Sequence, residues 1–167
     1  RVHEFFVEPY DITDREDARD VQDVRGEIRF DNVGFRYEED GEQVLQNINL
    51  TINPGETVAL VGMSGGGKSS LVSLVPRFYD VTEGRVLIDD MDIRDMTIFS
   101  LRDKIGIVLQ DNILFSGTVK ENILMGNPEA DMRQIVNAAK AANAHDFIMH
   151  LPHGYDTEIG ERGVKLS

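Results

Sequence analysis

The order of elements readable along the chain predicts a mixed α/β fold, strands first and helices later, with a helical subdomain in the last third. Three observations carry that prediction. Apolar residues alternate with polar ones at Ile28 and Phe30 and again at Ile48, Leu50 and Ile52, the period of a half-buried strand. A nearly continuous apolar run, Thr57-Val58-Ala59-Leu60-Val61, passes through a glycine-rich stretch into a helical one, Ser69–Val75. After Gln110 the chain becomes helical, with a first helix opened by Thr118-Val119-Lys120-Glu121.

Each element has its own signal. Between Arg1 and Glu27 there are nine acids and four bases, and apolar residues thin out after Tyr10. A segment so polar cannot offset its ordering entropy by burial, so residues 1–26 are expected to form a solvated linker, with Val2, Phe5 and Phe6 ending a preceding helix. Asp40-Gly41 marks a turn between the first two strands, and Asn53-Pro54-Gly55 another before the third. The run at 57–61 reads as a strand buried on both faces of a parallel sheet. Pro76 closes the helix that follows, and Arg85–Ile88 and Ile105–Leu109 are two more strand candidates. Thr118 and Glu121 fit a capping box. Asp131 is expected to cap a second helix with Met132, Ile135, Ala138, Ala139 and Ala142 on one face, and Ala144–His150 forms a third before Pro152.

At 167 residues, 41% of them hydrophobic, the chain has material for one domain with a substantial core. Thirty acids against seventeen bases give a net charge of −13, which argues against nucleic-acid binding, since that rests on cationic neutralisation of phosphates. The absence of cysteine excludes disulfide scaffolds, thiolate zinc sites and cysteine nucleophiles. No apolar run approaches the roughly eighteen residues of a spanning helix, and Arg1–Tyr10 lacks the layout of a signal peptide. The chain does not begin with Met, and Gly163-Val164-Lys165-Leu166-Ser167 carries no ending signal, so the sequence reads as a truncated piece of something longer.

Chemistry concentrates at Gly62-Met63-Ser64-Gly65-Gly66-Gly67-Lys68-Ser69, a full match to G-x-x-x-x-G-K-[ST]. Four constrained positions give a chance expectation on the order of one in a hundred for this length. Glycines let successive amides converge on one phosphate group where a side chain would block the approach. The helix that follows adds its positive end. Lys68 supplies a compact charge for the β- and γ-phosphates, and the Ser69 hydroxyl can ligate Mg²⁺. From Val58 to Tyr79 there is no acid, while Lys68 and Arg77 are present, so an anion is tolerated there.

Asp89, at the end of Val86-Leu87-Ile88, has two readings: the magnesium acid that follows an apolar strand in P-loop proteins, or a turn residue. His150 and His153 are separated by Leu151-Pro152 and have no third ligand nearby, which argues against zinc. The acidic N-terminal clusters lack the Gly and terminal Glu of a calcium loop.

The wider pattern resembles the nucleotide-binding domain of ATP-binding cassette (ABC) transporters, over about Gly26–Ser167. The resemblance is carried by Ile28–Tyr37, by Val44-Leu45-Gln46-Asn47-Ile48-Asn49-Leu50, and by Pro54–Gly62 leading into the P-loop. It continues through Arg77-Phe78-Tyr79-Asp80, Gln110-Asp111, Leu114–Ile123 and Gly154–Gly163, the last most like exporters. It implies a P-loop NTPase core with an antiparallel β edge over 27–110, the beginning of a helical subdomain over 111–167, and a linker from a preceding transmembrane domain over 1–26. It also implies ATP and Mg²⁺ as ligands. Tyr37 would stack on adenine, Ser64 and Ser70 would touch phosphate oxygens, and Gln110 would approach Mg²⁺ and the attacking water beside Ser69. Glu161, Arg162 and Gly163 would pass conformational change to the membrane domain. Leu166-Ser167 would open a Leu-Ser-Gly-Gly-Gln signature that meets the ATP of a second nucleotide-binding domain. In the resemblance Asp89 is a turn, and the magnesium acid, catalytic carboxylate and switch histidine lie beyond residue 167, so this stretch alone is expected not to hydrolyse ATP. The whole would be an exporter ATPase at the cytoplasmic face of the cell membrane. The competing classes are a soluble P-loop GTPase or kinase, for which Asn-Lys-x-Asp is missing, and a non-catalytic ATP-binding regulator.

Overall fold

The computed structural model describes residues 12–108 and 114–160. They fall into two compact units, one up to Ile107 and one from Val108 onward.

The first unit is built on a four-stranded antiparallel sheet of order β2-β1-β3-β4, with β1 Ile28–Phe35, β2 Leu45–Ile52, β3 Glu83–Ile88 and β4 Met91–Asp92. β1 does not hold one alternation throughout. Phe30 pairs with Leu50 but Val33 with Ile48, so one extra residue is inserted on β1. Asn32, at φ 50, absorbs it. The bulge shifts the frame by one residue, so that Phe30, Val33 and Phe35 are all buried. Gly84 on β3 accommodates the bulge: at φ 72 its missing Cβ would stand 2.3 Å from the Asp31 carbonyl oxygen and 2.4 Å from that of Asn32.

Two helices, α1 Lys68–Leu74 and α2 Ile98–Asp103, contribute Leu71, Leu74 and Leu101 to the same buried cluster as Val33, Phe35 and Val86. α2 escaped the sequence reading, although Thr97 carries its start signal and its side chain accepts from the Ser100 amide. Arg102 of α2 donates to the carbonyls of Pro76 (2.9 Å) and Arg77 (2.8 Å) and lies over the Phe78 ring, fixing the turn after α1.

Two expectations for this unit fail. The run 57–61 is not a strand and is not buried: it makes no ladder, and Val61 is 88% exposed. Ile105–Val108 likewise forms no strand, with Val108 93% exposed, and Leu109 lies outside the described residues. Both runs have the composition of central parallel strands, but such strands exist only with hydrogen-bonded neighbours, and none flanks them among the described residues.

The polar N-terminal stretch is also not a freely solvated tether over residues 12–26. Its backbone is laid along the unit: Arg19 donates to Asp95 O (2.9 Å), Thr97 donates to Arg19 O (3.0 Å), and the Val21 amide donates to Ser100 Oγ (3.0 Å). Val21 and Val24 pack on the core. Hydrogen bonds to residues 95–100 and two packed valines suffice to order a segment whose composition alone suggested otherwise. Val2, Phe5 and Phe6 lie outside the described residues.

The second unit contains α3 Val119–Leu124, α4 Met132–Ala141 and α5 His145–Met149, with a two-residue ladder between β5 Gly117–Thr118 and β6 Glu158–Ile159. The capping box forms as read: the Glu121 amide donates to Thr118 Oγ1 (3.1 Å) and the Thr118 amide donates to Glu121 Oε2 (2.7 Å). Asp131 and Gln134 make a second one at α4. The buried face of α4 is Ile135 and Ala139 with Val136 beside them, whereas Met132, Ala138 and Ala142 are exposed. The unit is small enough that only the centre of the predicted apolar face finds something to pack on. No helix among the described residues is long and apolar enough to cross a membrane.

Candidate functional site

The glycine-rich loop lies between the extended run 57–61 and α1. Gly62, Gly65 and Gly67 take φ values of 155, 80 and 76, a backbone path that L side chains resist. Gly67 also abuts the start of β2: a Cβ there would meet Leu45 Cδ2 at 2.7 Å and Val44 O at 3.1 Å. The sheet therefore sets where the loop ends and α1 begins. Within the loop the Gly66 amide donates to Met63 O (3.1 Å).

Lys68 folds back over the loop, its Nζ 3.0 Å from Gly62 O and 2.6 Å from Met63 O. An ammonium held by two loop carbonyls stands above the same backbone whose amides remain free. Among the described residues, nothing accepts from the amides of Gly65, Gly67, Lys68, Ser69 or Ser70, and no side chain caps α1. A row of free amide donors beside a cation can hold a polyanion. Ser64 just before this row and Ser69 within it are exposed, and the side chain of Met63 points into solvent. A magnesium ion needs oxygen donors, which the Ser69 hydroxyl provides.

Ser70 differs from its neighbours. It is 6% exposed, and its hydroxyl lies 2.7 Å from Tyr37 Oη. Tyr37 follows β1 and stays 54% exposed, with its ring edge-on to Phe35 (centroids 4.8 Å apart) and Tyr79 (5.1 Å). Tyr37, the loop, Lys68, Ser69 and Ser70 all belong to the first unit. Gln110, Glu161, Arg162, Gly163, Leu166 and Ser167 lie outside the described residues.

Arg77 does not serve the anion. It is buried, at φ 54, and its guanidinium is engaged by Asp80 (Nε–Oδ1 2.7 Å, Nη2–Oδ2 3.1 Å) and by Thr13 O (3.2 Å). Lys68 is therefore the one cation of the 58–79 stretch left for a ligand among the described residues.

Asp89 is settled as a turn residue. Asp89 and Asp90, at φ 49 and 69, form the two-residue connection between β3 and β4, the sign pattern of a type I′ hairpin turn. The Asp89 carboxylate accepts from the amides of Arg25, Gly26 (3.2 Å) and Glu27 (3.0 Å), clipping the N-terminal strap to the sheet. Burial pushes its pKa up, but these amides, with Arg25 nearby, outweigh burial and hold it below the usual carboxylate value. This role was not legible in the sequence, because the partners lie more than sixty residues away.

Comparison with known proteins places the chain in a family. YgaD of Bacillus subtilis (strain 168), by name a multidrug export ATP-binding/permease protein, is 60% identical over 167 residues, all of this chain and 29% of its own length. A protein of the same description from Staphylococcus aureus (strain NCTC 8325 / PS 47) is 58% identical over 166 residues, 99% of this chain and 29% of its own. The chain thus spans less than a third of these relatives. Among solved structures, a bacterial Atm1-family ABC exporter with ATP bound superposes with a TM-score of 0.88 at 43% identity, covering 99% of this chain and 29% of that one. The sequence pattern described as ABC transporter matches residues 45–167, a stretch that contains the loop, Lys68 and its helix, and the chain belongs to the ABC transporter family.

Proposed function

We propose that this chain is the ATP-binding part of an ABC exporter, a protein that couples ATP binding and hydrolysis to export across a membrane. ABC transporter ATP-binding domains are ATPases, and relatives of this chain bear multidrug-exporter names. The observation that carries the reading is the Lys68 ammonium held on the Gly62 and Met63 carbonyls beside a row of free amides. In this reading Gly62, Met63, Ser64, Gly65, Gly66, Gly67 and Lys68 cradle the triphosphate, and Tyr37 offers its exposed ring to the adenine. Ser69 and Gln110 hold Mg²⁺, which supplies charge neutralisation across the phosphates.

The remaining length of the protein supplies what this stretch does not. The exposed runs at 57–61 and 105–108 take central places in a parallel sheet completed by other strands. Segment 1–26 joins the chain to a transmembrane domain, and Glu161, Arg162 and Gly163 transmit movement to it. A second nucleotide-binding domain closes on the ATP, and the assembly works at the cytoplasmic face of the membrane. The 167-residue stretch alone binds nucleotide weakly and does not turn it over.

Equilibrium binding and steady-state hydrolysis of ATP by the full-length protein test this. Lys68→Ala is expected to abolish hydrolysis and to weaken ATP binding by at least about tenfold, as befits loss of a charged partner. Unchanged turnover in that variant refutes the assignment. Sustained hydrolysis by the 167-residue stretch, sensitive to Lys68→Ala, refutes the claim that it is only a partial motor.

A further inference from the structure

Ser70 and Tyr37 come from different parts of the fold, one in the first turn of α1 and one beyond the end of β1, and their hydroxyls meet at 2.7 Å. A serine inside a helix commonly bonds back to the carbonyl four residues earlier, as Ser73 does to Ser69 O at 2.7 Å. Ser70 bonds across to Tyr37 instead. On other sides the Tyr37 ring meets Tyr79 edge-on, at 85° between planes, and Phe35 at 79°. The ring is thus fixed by a hydrogen bond and two aromatic edges while more than half of the residue stays exposed. A side chain frozen before its ligand arrives does not lose that rotamer freedom on binding.

We propose that Ser70 is a positioning residue for base recognition. Its hydroxyl pairs with Tyr37, Tyr79 buttresses the ring, and together they hold the purine platform at a set angle and tie it to the helix that carries Lys68 and Ser69. The proposal rests on Tyr37 being the adenine platform. Its consequence is a selective one: the Ser70–Tyr37 pair contributes to binding of a nucleotide but not to binding of a triphosphate that has no base.

The test is equilibrium binding of ATP and of inorganic tripolyphosphate to the full-length protein and to Tyr37→Phe, Ser70→Ala, their double variant and Tyr37→Ala. Tyr37→Phe and Ser70→Ala each remove one oxygen, and each is expected to weaken ATP about three- to tenfold, the range for one hydrogen bond. Tripolyphosphate affinity of Tyr37→Phe stays within about twofold, which also reports that this variant is folded, whereas Ser70→Ala, which also loses the hydroxyl expected at the phosphates, weakens ATP more than it weakens tripolyphosphate. The double variant binds ATP no more weakly than the worse single variant, because both delete the same bond. The proposal is overturned if Ser70→Ala weakens both ligands equally, if neither single variant weakens ATP, or if the losses add in the double variant. Tyr37→Ala separates the two layers. If it leaves the ratio of ATP to tripolyphosphate affinity unchanged, the adenine-platform reading fails and the positioning role fails with it. If it lowers that ratio while Tyr37→Phe and Ser70→Ala do not, the platform stands and only the positioning role of Ser70 falls.

Discussion

Asp89 shows how one carboxylate organises residues distant in sequence. Three consecutive amides of the strap converge on it, and replacing it with alanine leaves them without an acceptor. Asp89→Ala is therefore expected to cost about 2 kcal/mol, read as a lower denaturation midpoint. Asp89→Asn keeps one acceptor oxygen and tolerates the positive φ, so it costs less. Because the folded carboxyl lies below its unfolded value of 3.8, the stabilisation is complete above that value and is lost as the pH falls through the folded one. Wild-type stability should fall in that acid window with a slope that Asp89→Asn flattens, measured by chemical denaturation at successive pH values. An equal slope in both proteins would show that other carboxylates carry the acid sensitivity.

For single elements, the bulge in β1 and the two capping boxes make the sharpest demands. Gly84 faces the bulge at a positive φ with two carbonyl oxygens closer than any Cβ tolerates. Gly84→Ala is expected to cost at least ~2 kcal/mol through backbone strain and displacement of β1. A melting temperature within a degree of wild type would contradict this account of the β1–β3 pairing. The Thr118 cap is a gentler case. Glu121 is held below the usual carboxylate value by the Thr118 amide and hydroxyl, the signature of a capping box that is made. Thr118→Ala should cost about 1 kcal/mol, and proteolysis at 119–124 should speed up before the rest of the chain is affected.

At the scale of the whole molecule, the unpaired apolar runs matter most. Val58, Leu60, Val61, Ile107 and Val108 are all exposed, in segments with no ladder among the described residues. Hydrogen exchange on the 167-residue chain should find the amides of 57–61 and 105–108 exchanging at nearly unprotected rates, while those of β1 and β3 are protected. In the full-length protein the same amides should become protected, since parallel strands are stabilised by neighbours on both sides. Equal protection in the two proteins would mean that these runs need no partner strands.

Local signals were legible wherever the physics is local. The loop from Gly62 to Ser69, the Thr118–Glu121 box, the Asp131 cap and α1 could be read directly, because turn glycines, caps and helical spacing act within a few residues. The family followed from that loop and its flanking pattern. What the sequence did not decide is everything that depends on a partner far along the chain. The strap is held by Asp89, Asp95 and Ser100, Arg77 reaches the Thr13 carbonyl across 64 residues, and Ser70 meets Tyr37 across 33 residues. An apolar run such as 57–61 records that burial is required, but burial is a property of the surfaces brought against it. Composition determined the need, and only the tertiary structure decided which needs are met.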